Sequence, residues 1–96
     1  MLIYKSLILN TDTKQCFIND KEIFLTKKEY CLLTFLLSNI NHVYSREELH
    51  NNVFPNTSCN PRAIDMIVFR LRKKLKEYSN NILTRFGFGY SFSTEI

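Results

Sequence analysis

The longest regular pattern of apolar and polar positions lies between residues 60 and 78, and it predicts a helix. Asn60 suits the N-cap, where its side chain can accept a hydrogen bond from an unpaired amide, and Pro61 suits the first helical position. Apolar residues then recur at steps of three and four, which places them on one stripe of the helix. These residues are Ile64, Val68, Leu71, Leu75 and Tyr78.

The face opposite this stripe is cationic, with apolar side chains between the charges. Cations complement phosphates, and apolar side chains can contact thymine methyl groups in a major groove. The alternative interpretation is a solvated basic helix in which Met66 and Phe69 lie under a neighbouring loop. The residues of the face are Arg62, Met66, Phe69 and Lys73, with Arg70 and Lys76 at its sides.

Short β-prone runs at residues 7–9, 15–18 and 22–25 predict a small antiparallel sheet, separated by polar turns. Tyr4 suggests an additional edge strand. Asn19 and Asp20 suit a tight hairpin, because both residue types tolerate left-handed conformations. We expect this sheet to pack on the helices and orient them.

Two capping boxes predict two further helices. Thr26 and Glu29 precede an apolar run that ends near Ser38, and Ser45 and Glu48 open a shorter helix that Pro55 stops. The second predicted helix, the short loop after it and the basic helix together resemble a helix-turn-helix. On the second helix we expect Leu49, Val53 and Phe54 to face inward and His50 to lie on the exposed side.

The C-terminal part predicts a β-hairpin, with strands at residues 82–85 and 90–93. Both glycines of the chain lie in the loop between them, at Gly87 and Gly89. A hairpin directly after such a helix is a wing. Arg85 and Phe86 stand at its tip, where an arginine can enter a narrow, electronegative minor groove and a phenylalanine can pack on the sugar–phosphate edge.

Composition and charge restrict the class of protein. With 96 residues, one domain is expected, and no apolar run or N-terminal pattern suggests a membrane span or a signal peptide, which favours the cytoplasm. Residues 1–59 carry six basic and six acidic side chains, whereas residues 60–96 carry seven basic and three acidic ones. This basic C-terminal third indicates a polyanionic partner, either nucleic acid or an anionic membrane.

The sequence offers no catalytic or metal-binding pattern. The three cysteines, Cys16, Cys31 and Cys59, form no C-x-x-C pair, so we expect reduced thiols, with Cys31 in the core. His42 and His50 lack zinc-ligand spacing, and no nucleophile or phosphate-loop motif is present. We therefore expect that the protein is not an enzyme, and that it has no catalytic residue, no cofactor and no small-molecule substrate. RNA is a weaker alternative to DNA, because the A-form major groove is too narrow for a helix.

In this order and spacing, five segments resemble the winged-helix DNA-binding domain of OmpR/PhoB-type bacterial transcription regulators. They are residues 25–33 (LTKKEYCLL), 45–49 (SREEL), 62–65 (RAID), 71–75 (LRKKL), and Thr84 with 87–92 (GFGYSF). The resemblance implies an α+β winged helix-turn-helix over residues 1–96. Its parts are an N-terminal antiparallel sheet (1–25, four strands), helix 1 (26–39), helix 2 (45–54), a recognition helix (60–79) and a wing (82–93).

The resemblance also implies roles for individual residues in binding double-stranded DNA. Arg62 and Arg72 match phosphate contacts, Arg70 a base-reading position, and Met66 a contact to thymine methyls. Phe54 matches an aromatic residue that touches the DNA backbone. The candidate DNA-binding residues are Arg62, Met66, Phe69, Arg70, Arg72, Lys73, Thr84, Arg85 and Phe86, and the candidate RNA polymerase loop is Pro55, Asn56, Thr57 and Ser58.

Two positions depart from the family pattern. Phe69 lies where many members have a basic residue, and Phe86 lies where the wing often has its minor-groove arginine. The family further implies binding to promoter DNA, including direct repeats occupied by tandem copies or a homodimer. The function implied is the effector domain of a two-component response regulator. The alternatives are a receiver-less, ToxR/CadC-like regulator or a winged helix that binds proteins.

Overall fold

The chain folds as an N-terminal sheet, three helices and a C-terminal hairpin, in the order that the sequence predicts. The computed structural model describes residues 1–56, 58 and 60–95. The strands are β1 (Leu2–Tyr4), β2 (Leu7–Asn10), β3 (Gln15–Ile18), β4 (Lys21–Ile23), β5 (Ile82–Arg85) and β6 (Gly89–Phe92). The helices are α1 (Lys27–Ser38), α2 (Arg46–Val53) and α3 (Pro61–Leu75), with a 3₁₀ segment at Lys76–Asn81. The α+β winged-helix fold is therefore confirmed.

The N-terminal sheet is antiparallel, with its strands in sequence order. Its inner face buries Leu7, Leu9, Cys16 and Ile18 against the helices. The tight turn at Asn19 and Asp20 is confirmed, with φ of 52° and 66° at the two residues. The fourth strand ends at Ile23, two residues earlier than predicted, because the chain must turn toward the cap of α1.

Both predicted capping boxes are present and fix the starts of two helices. The Thr26 hydroxyl accepts from the Glu29 amide, and the Glu29 carboxylate accepts from the Thr26 amide; Ser45 and Glu48 repeat the arrangement in α2. Each cap satisfies two amides that a helix start otherwise leaves unpaired. The apolar faces of α1 and α3 meet in the core, where Leu32, Leu36, Ile64 and Leu71 are fully buried.

The third helix is shorter than the predicted span of residues 60–79. It ends at Leu75, because Lys76 has a positive φ of 52°, which breaks the helix and turns the chain into the 3₁₀ segment. This turn brings the buried ring of Tyr78 to the sheet, where its hydroxyl accepts a hydrogen bond from the Ser6 amide at 3.0 Å. The apolar stripe is thus buried as predicted, but its last member, Tyr78, lies outside the α-helix.

Two side chains lie elsewhere than expected. His50 is 2% exposed rather than on the open side of α2, because its ring stacks on Phe54 one turn later, with centroids 5.0 Å apart. Cys31 is half-buried rather than in the core, whereas Cys16 is buried, and both thiols are free. The prediction for Cys59 falls outside the described residues. Over residues 1–56, 58 and 60–95, no helix has the length and apolar character that a bilayer span requires.

Candidate nucleic-acid interface

The face of α3 that points away from the core is open to solvent and basic. Met66 and Phe69 are 49% and 56% exposed, so the alternative in which a loop covers them is wrong. Arg62, Arg70 and Lys73 are exposed beside them. The Lys73 ammonium lies 4.4 Å from the centroid of the Phe69 ring, which holds a positive charge over an apolar surface. We call these five residues the open face.

Arg72 lies at the side of α3 and connects the helix to the hairpin. Its Nε and Nη2 donate to the Ile82 carbonyl at 3.1 and 2.6 Å, and Nη2 also donates to the Thr84 hydroxyl at 2.8 Å. The guanidinium is half-buried and lies 5.8 Å from the Tyr90 ring centroid. Within the described part of the chain, these bonds leave the two Nη1 hydrogens for an external acceptor.

Lys74 belongs to the core side of α3 rather than to the open face. Its ammonium donates to the buried Glu29 carboxylate at 2.6 Å, which joins α3 to the capping box of α1. Burial raises the pKa of Glu29, but the hydrogen bonds from Lys74 and from the Thr26 amide outweigh burial, so the pKa lies below its ordinary value. The sequence shows Lys74 only as one member of a basic run, and its partner lies 45 residues away.

The wing is the hairpin of β5 and β6, and its tip is a tight turn. The Phe88 amide donates to the Arg85 carbonyl at 2.9 Å, and Gly87 between them has φ 84°. A positive φ at the third residue of such a turn is typical of type II and favours glycine. Arg85 is exposed, and the turn places Phe86 and Phe88 in solvent, at 90% and 76% exposure.

The base of the wing is attached by backbone contact to the segment that precedes α2. Tyr44 and Tyr90 exchange two backbone hydrogen bonds of 2.9 Å each. Gly89 lies so close to this segment that an added Cβ atom would be 1.9 Å from the Tyr44 oxygen. The glycine is therefore required by close approach as well as by its φ of 141°.

An ion pair and a hydrogen bond on Asp65 attach the same hairpin to α2 and α3. The Tyr90 hydroxyl donates to one Asp65 oxygen at 2.7 Å, and Arg46 donates to the other at 3.0 Å. Burial, together with the hydrogen bond to Asp65, raises the pKa of Tyr90 to about 12. Arg46 and Asp65 lie with the wing around an open groove of about 430 Å³.

The loop between α2 and α3 is exposed at Pro55, Asn56 and Ser58, whereas Thr57 lies outside the described residues. Phe54, before the loop, is half-buried, with the Lys28 ammonium 4.5 Å from its ring centroid. Among the residues that the structure describes, no group of histidine, cysteine and carboxylate side chains could hold a metal ion. The geometry thus brings together an open basic helix and a wing at its side.

Known proteins share this arrangement. The family model for the C-terminal domain of transcriptional regulatory proteins matches residues 20–92. Response regulator ArlR of Staphylococcus aureus is 42% identical over 76 residues, covering 76% of this chain and 35% of ArlR. VxrB of Vibrio cholerae is 37% identical over 79 residues, covering 77% of this chain and 31% of VxrB. The chain spans about a third of the length of these curated relatives.

Solved structures agree in fold over almost the whole chain. The DNA-binding domain of the response regulator AdeR, solved in complex with an intercistronic region, superposes with a TM-score of 0.85 at 29% identity, covering 97% of this chain and 98% of that one. The DNA-binding domain of CpxR from E. coli gives a TM-score of 0.86 at 29% identity, covering 99% of this chain and 97% of the CpxR domain. The chain belongs to the OmpR/PhoB-type winged-helix family of transcription-regulator DNA-binding domains, which is not a family of enzymes.

Proposed function

We propose that residues 1–96 act as one domain that binds double-stranded promoter DNA sequence-specifically in the bacterial cytoplasm. The domain would be the effector of a two-component response regulator. The observation that carries the proposal is the exposed, basic open face of α3 next to a wing attached by Arg72. The AdeR domain, 29% identical and solved with DNA, supports the same use of the fold.

In this proposal α3 enters the major groove and its side chains divide into two groups. Arg62, Lys73 and the Nη1 group of Arg72 contact phosphates, which provides affinity without sequence information. Arg70 reads bases, since a guanidinium can donate two hydrogen bonds to guanine. Met66 and Phe69 contact thymine methyl groups, which their exposure allows.

The wing lies over the adjacent minor groove. Arg85, which is exposed, approaches its electronegative floor, and Phe86 contacts the nucleotides beside it. Thr84 accepts a hydrogen bond from Arg72 and is half-buried, so it positions the wing and contacts DNA only at its edge.

The remaining partners follow from the family. The loop carrying Pro55, Asn56, Thr57 and Ser58 would contact RNA polymerase, and two copies would occupy direct repeats in tandem or as a homodimer. The exposed aromatic side chains of α3 and the wing favour one second candidate, a winged helix that binds protein rather than DNA. A receiver-less regulator would share the DNA-binding role.

The test is selection of bound duplexes from a random DNA pool over several rounds, followed by sequencing and by affinity measurements at several salt concentrations. We expect a short recurring motif and a slope of log K against log salt of about −3, as for the three phosphates contacted by Arg62, Arg72 and Lys73. Lys21→Ala, on the exposed part of β4, is the matched control and should leave both results unchanged. Absence of binding at low salt would reject the proposal and favour the protein-binding alternative.

A further inference from the structure

The tip of the wing carries an exposed phenylalanine where a charged residue would interact better with water and with DNA phosphates. We propose that Phe86 inserts as an apolar wedge between adjacent base pairs of the minor groove, at a flexible pyrimidine–purine step. The domain would then prefer DNA sites that deform easily under the wing, in addition to the bases that α3 reads. This inference rests on the proposed DNA-binding function and specifies the class of DNA that the wing accepts.

The first support is the exposure of the Phe86 ring. At 90% exposed, Phe86 has the highest exposure among the exposed large hydrophobic side chains in the described residues, whereas Phe92 of the same hairpin is fully buried. Leaving such a ring in water costs free energy that packing in the domain would recover. Two exposed rings at one turn therefore indicate an external contact, since no described residue of the fold covers them.

The second support is the rigidity of the turn and its base. Gly87 sets a type II turn closed by the hydrogen bond between Phe88 and Arg85. The strands behind the turn are attached to the rest of the domain by the Arg72 and Asp65 hydrogen bonds. A side chain that separates stacked bases must be held in place while it does so, because unstacking is energetically unfavourable.

The third support is the charge around the tip. Arg85 precedes Phe86, is exposed, and would be drawn to a narrow minor groove. Asp65, the carboxylate that lines the groove beside Phe86, is paired with Arg46 and accepts from Tyr90, while Glu48 lines a separate groove with Arg85 and Phe88. The surroundings of Phe86 thus favour a polyanion as the occupant, rather than an apolar protein surface.

Phe88 provides a matched comparison within the same turn. Both rings line the groove beside Asp65, but Phe88 also lines a second groove, at the start of α2, with Glu48 and Arg85. An exposed glutamate beside a ring disfavours close approach to phosphates. The wedge is therefore assigned to Phe86 and not to Phe88, although both are aromatic and both are exposed.

The flexibility of individual base steps determines which DNA the wedge would enter. TA and CA/TG steps unstack and kink most easily, and proteins that insert apolar side chains into the minor groove bend the duplex by about 20–90°. We therefore expect duplexes selected by the wild-type domain to carry such a step at a fixed distance from the motif read by α3. Selection with Phe86→Ala should retain that motif and lose the step preference.

A fluorescence experiment tests the insertion directly. The probe is the selected duplex with 2-aminopurine at the enriched step and a dye pair at its ends. Wild-type binding should raise the 2-aminopurine emission, because the base unstacks, and should bend the duplex. Phe86→Ala should abolish both signals and weaken binding about tenfold, while Phe86→Leu, which keeps an apolar wedge, should retain most of them.

The controls separate the possible failures. Phe88→Ala and Phe24→Ala remove exposed rings of similar size and should leave the emission change intact, and thermal melting verifies that each variant is folded. Wild-type binding with neither emission change nor bending, or Phe86→Arg retaining both, would overturn the wedge and leave the proposed function standing. If the wild-type domain binds no duplex, both proposals fail.

Discussion

Arg72 and Ile82 are joined by a forked hydrogen bond, in which Nε and Nη2 of the guanidinium donate to one backbone carbonyl at 3.1 and 2.6 Å. The carbonyl belongs to the first residue of β5. A side chain of the basic helix therefore sets the position of the wing relative to that helix. The same hairpin is also held by the Tyr90 hydrogen bonds to Asp65 and to the Tyr44 backbone, so Arg72 is one of its attachments and the one that starts from the basic helix.

We predict that Arg72→Lys destabilises the domain, although it keeps the charge. An ammonium cannot reproduce the planar fork, so we expect a loss of about 1–2 kcal/mol in the free energy of unfolding, measured by urea denaturation. Arg70→Lys is the matched control, because Arg70 is exposed, and its midpoint should stay close to wild type. Equal midpoints for the two variants would show that the fork contributes nothing to stability.

The two glycines of the wing should respond differently to alanine. At Gly89 a Cβ atom would overlap the Tyr44 backbone, so Gly89→Ala should cost about 3 kcal/mol or more. At Gly87 no atom lies within 4 Å of the added Cβ, and only the positive φ is unfavourable, so Gly87→Ala should cost about 1–2 kcal/mol. Chemical denaturation of both variants tests the order, and a larger loss at Gly87 would contradict it.

The Glu29–Lys74 pair should make stability depend on acid pH. Because the folded pKa of Glu29 lies below its unfolded value of about 4.3, its contribution is complete above that value and is lost as pH falls through the folded pKa. Glu29→Gln should therefore lower the free energy of unfolding at pH 7 by about 1–3 kcal/mol, measured by urea denaturation. The difference from wild type should narrow below about pH 4.

The control for this pH experiment is Glu48→Gln. Glu48 closes the corresponding capping box of α2 but is exposed and has no lysine partner in the structure described here. We expect a smaller loss at pH 7 for this variant. If the stability difference between wild type and Glu29→Gln stays constant from pH 7 to pH 3, the lowered pKa of Glu29 does not contribute to stability.

Within the proposed interface, Arg70 and Lys73 should have separable effects on DNA binding. Arg70→Ala should cost about 1–3 kcal/mol on the selected site and relax the base preference at one position. Lys73→Ala should weaken binding to all duplexes alike and reduce the salt slope by about 1. Affinity titrations on selected and scrambled duplexes measure both, and equal losses for Arg70→Ala on the two duplexes would exclude base reading.

Features encoded within a few residues could be predicted from the sequence. The two capping boxes, the stripe of α3 and the glycine-containing turn of the wing each depend on spacing along the chain, and the structure has all of them. The exposure of Met66 and Phe69 also follows from helical periodicity, because both lie opposite the stripe.

Features that depend on distant partners could not be predicted. The role of Arg72 depends on a carbonyl ten residues later, and Lys74 pairs with Glu29 across 45 residues, so both look like ordinary members of a basic run. The sequence predicts His50 on the exposed side of α2, whereas its ring is buried and stacks on Phe54. The end of α3 at Lys76 is equally nonlocal, since no proline or glycine marks it and Tyr78 must reach the sheet.

The contact between Ser6 and Tyr78 also orders events during synthesis. The two residues are 72 positions apart, and the neighbouring Tyr4 ring packs edge-on against both Tyr78 and Phe92. A nascent chain therefore emerges with its first strands unable to complete their packing until the segment after α3 has left the ribosome. Such long-range closure slows folding and leaves the edges of the first strands exposed until the C-terminal segment is available.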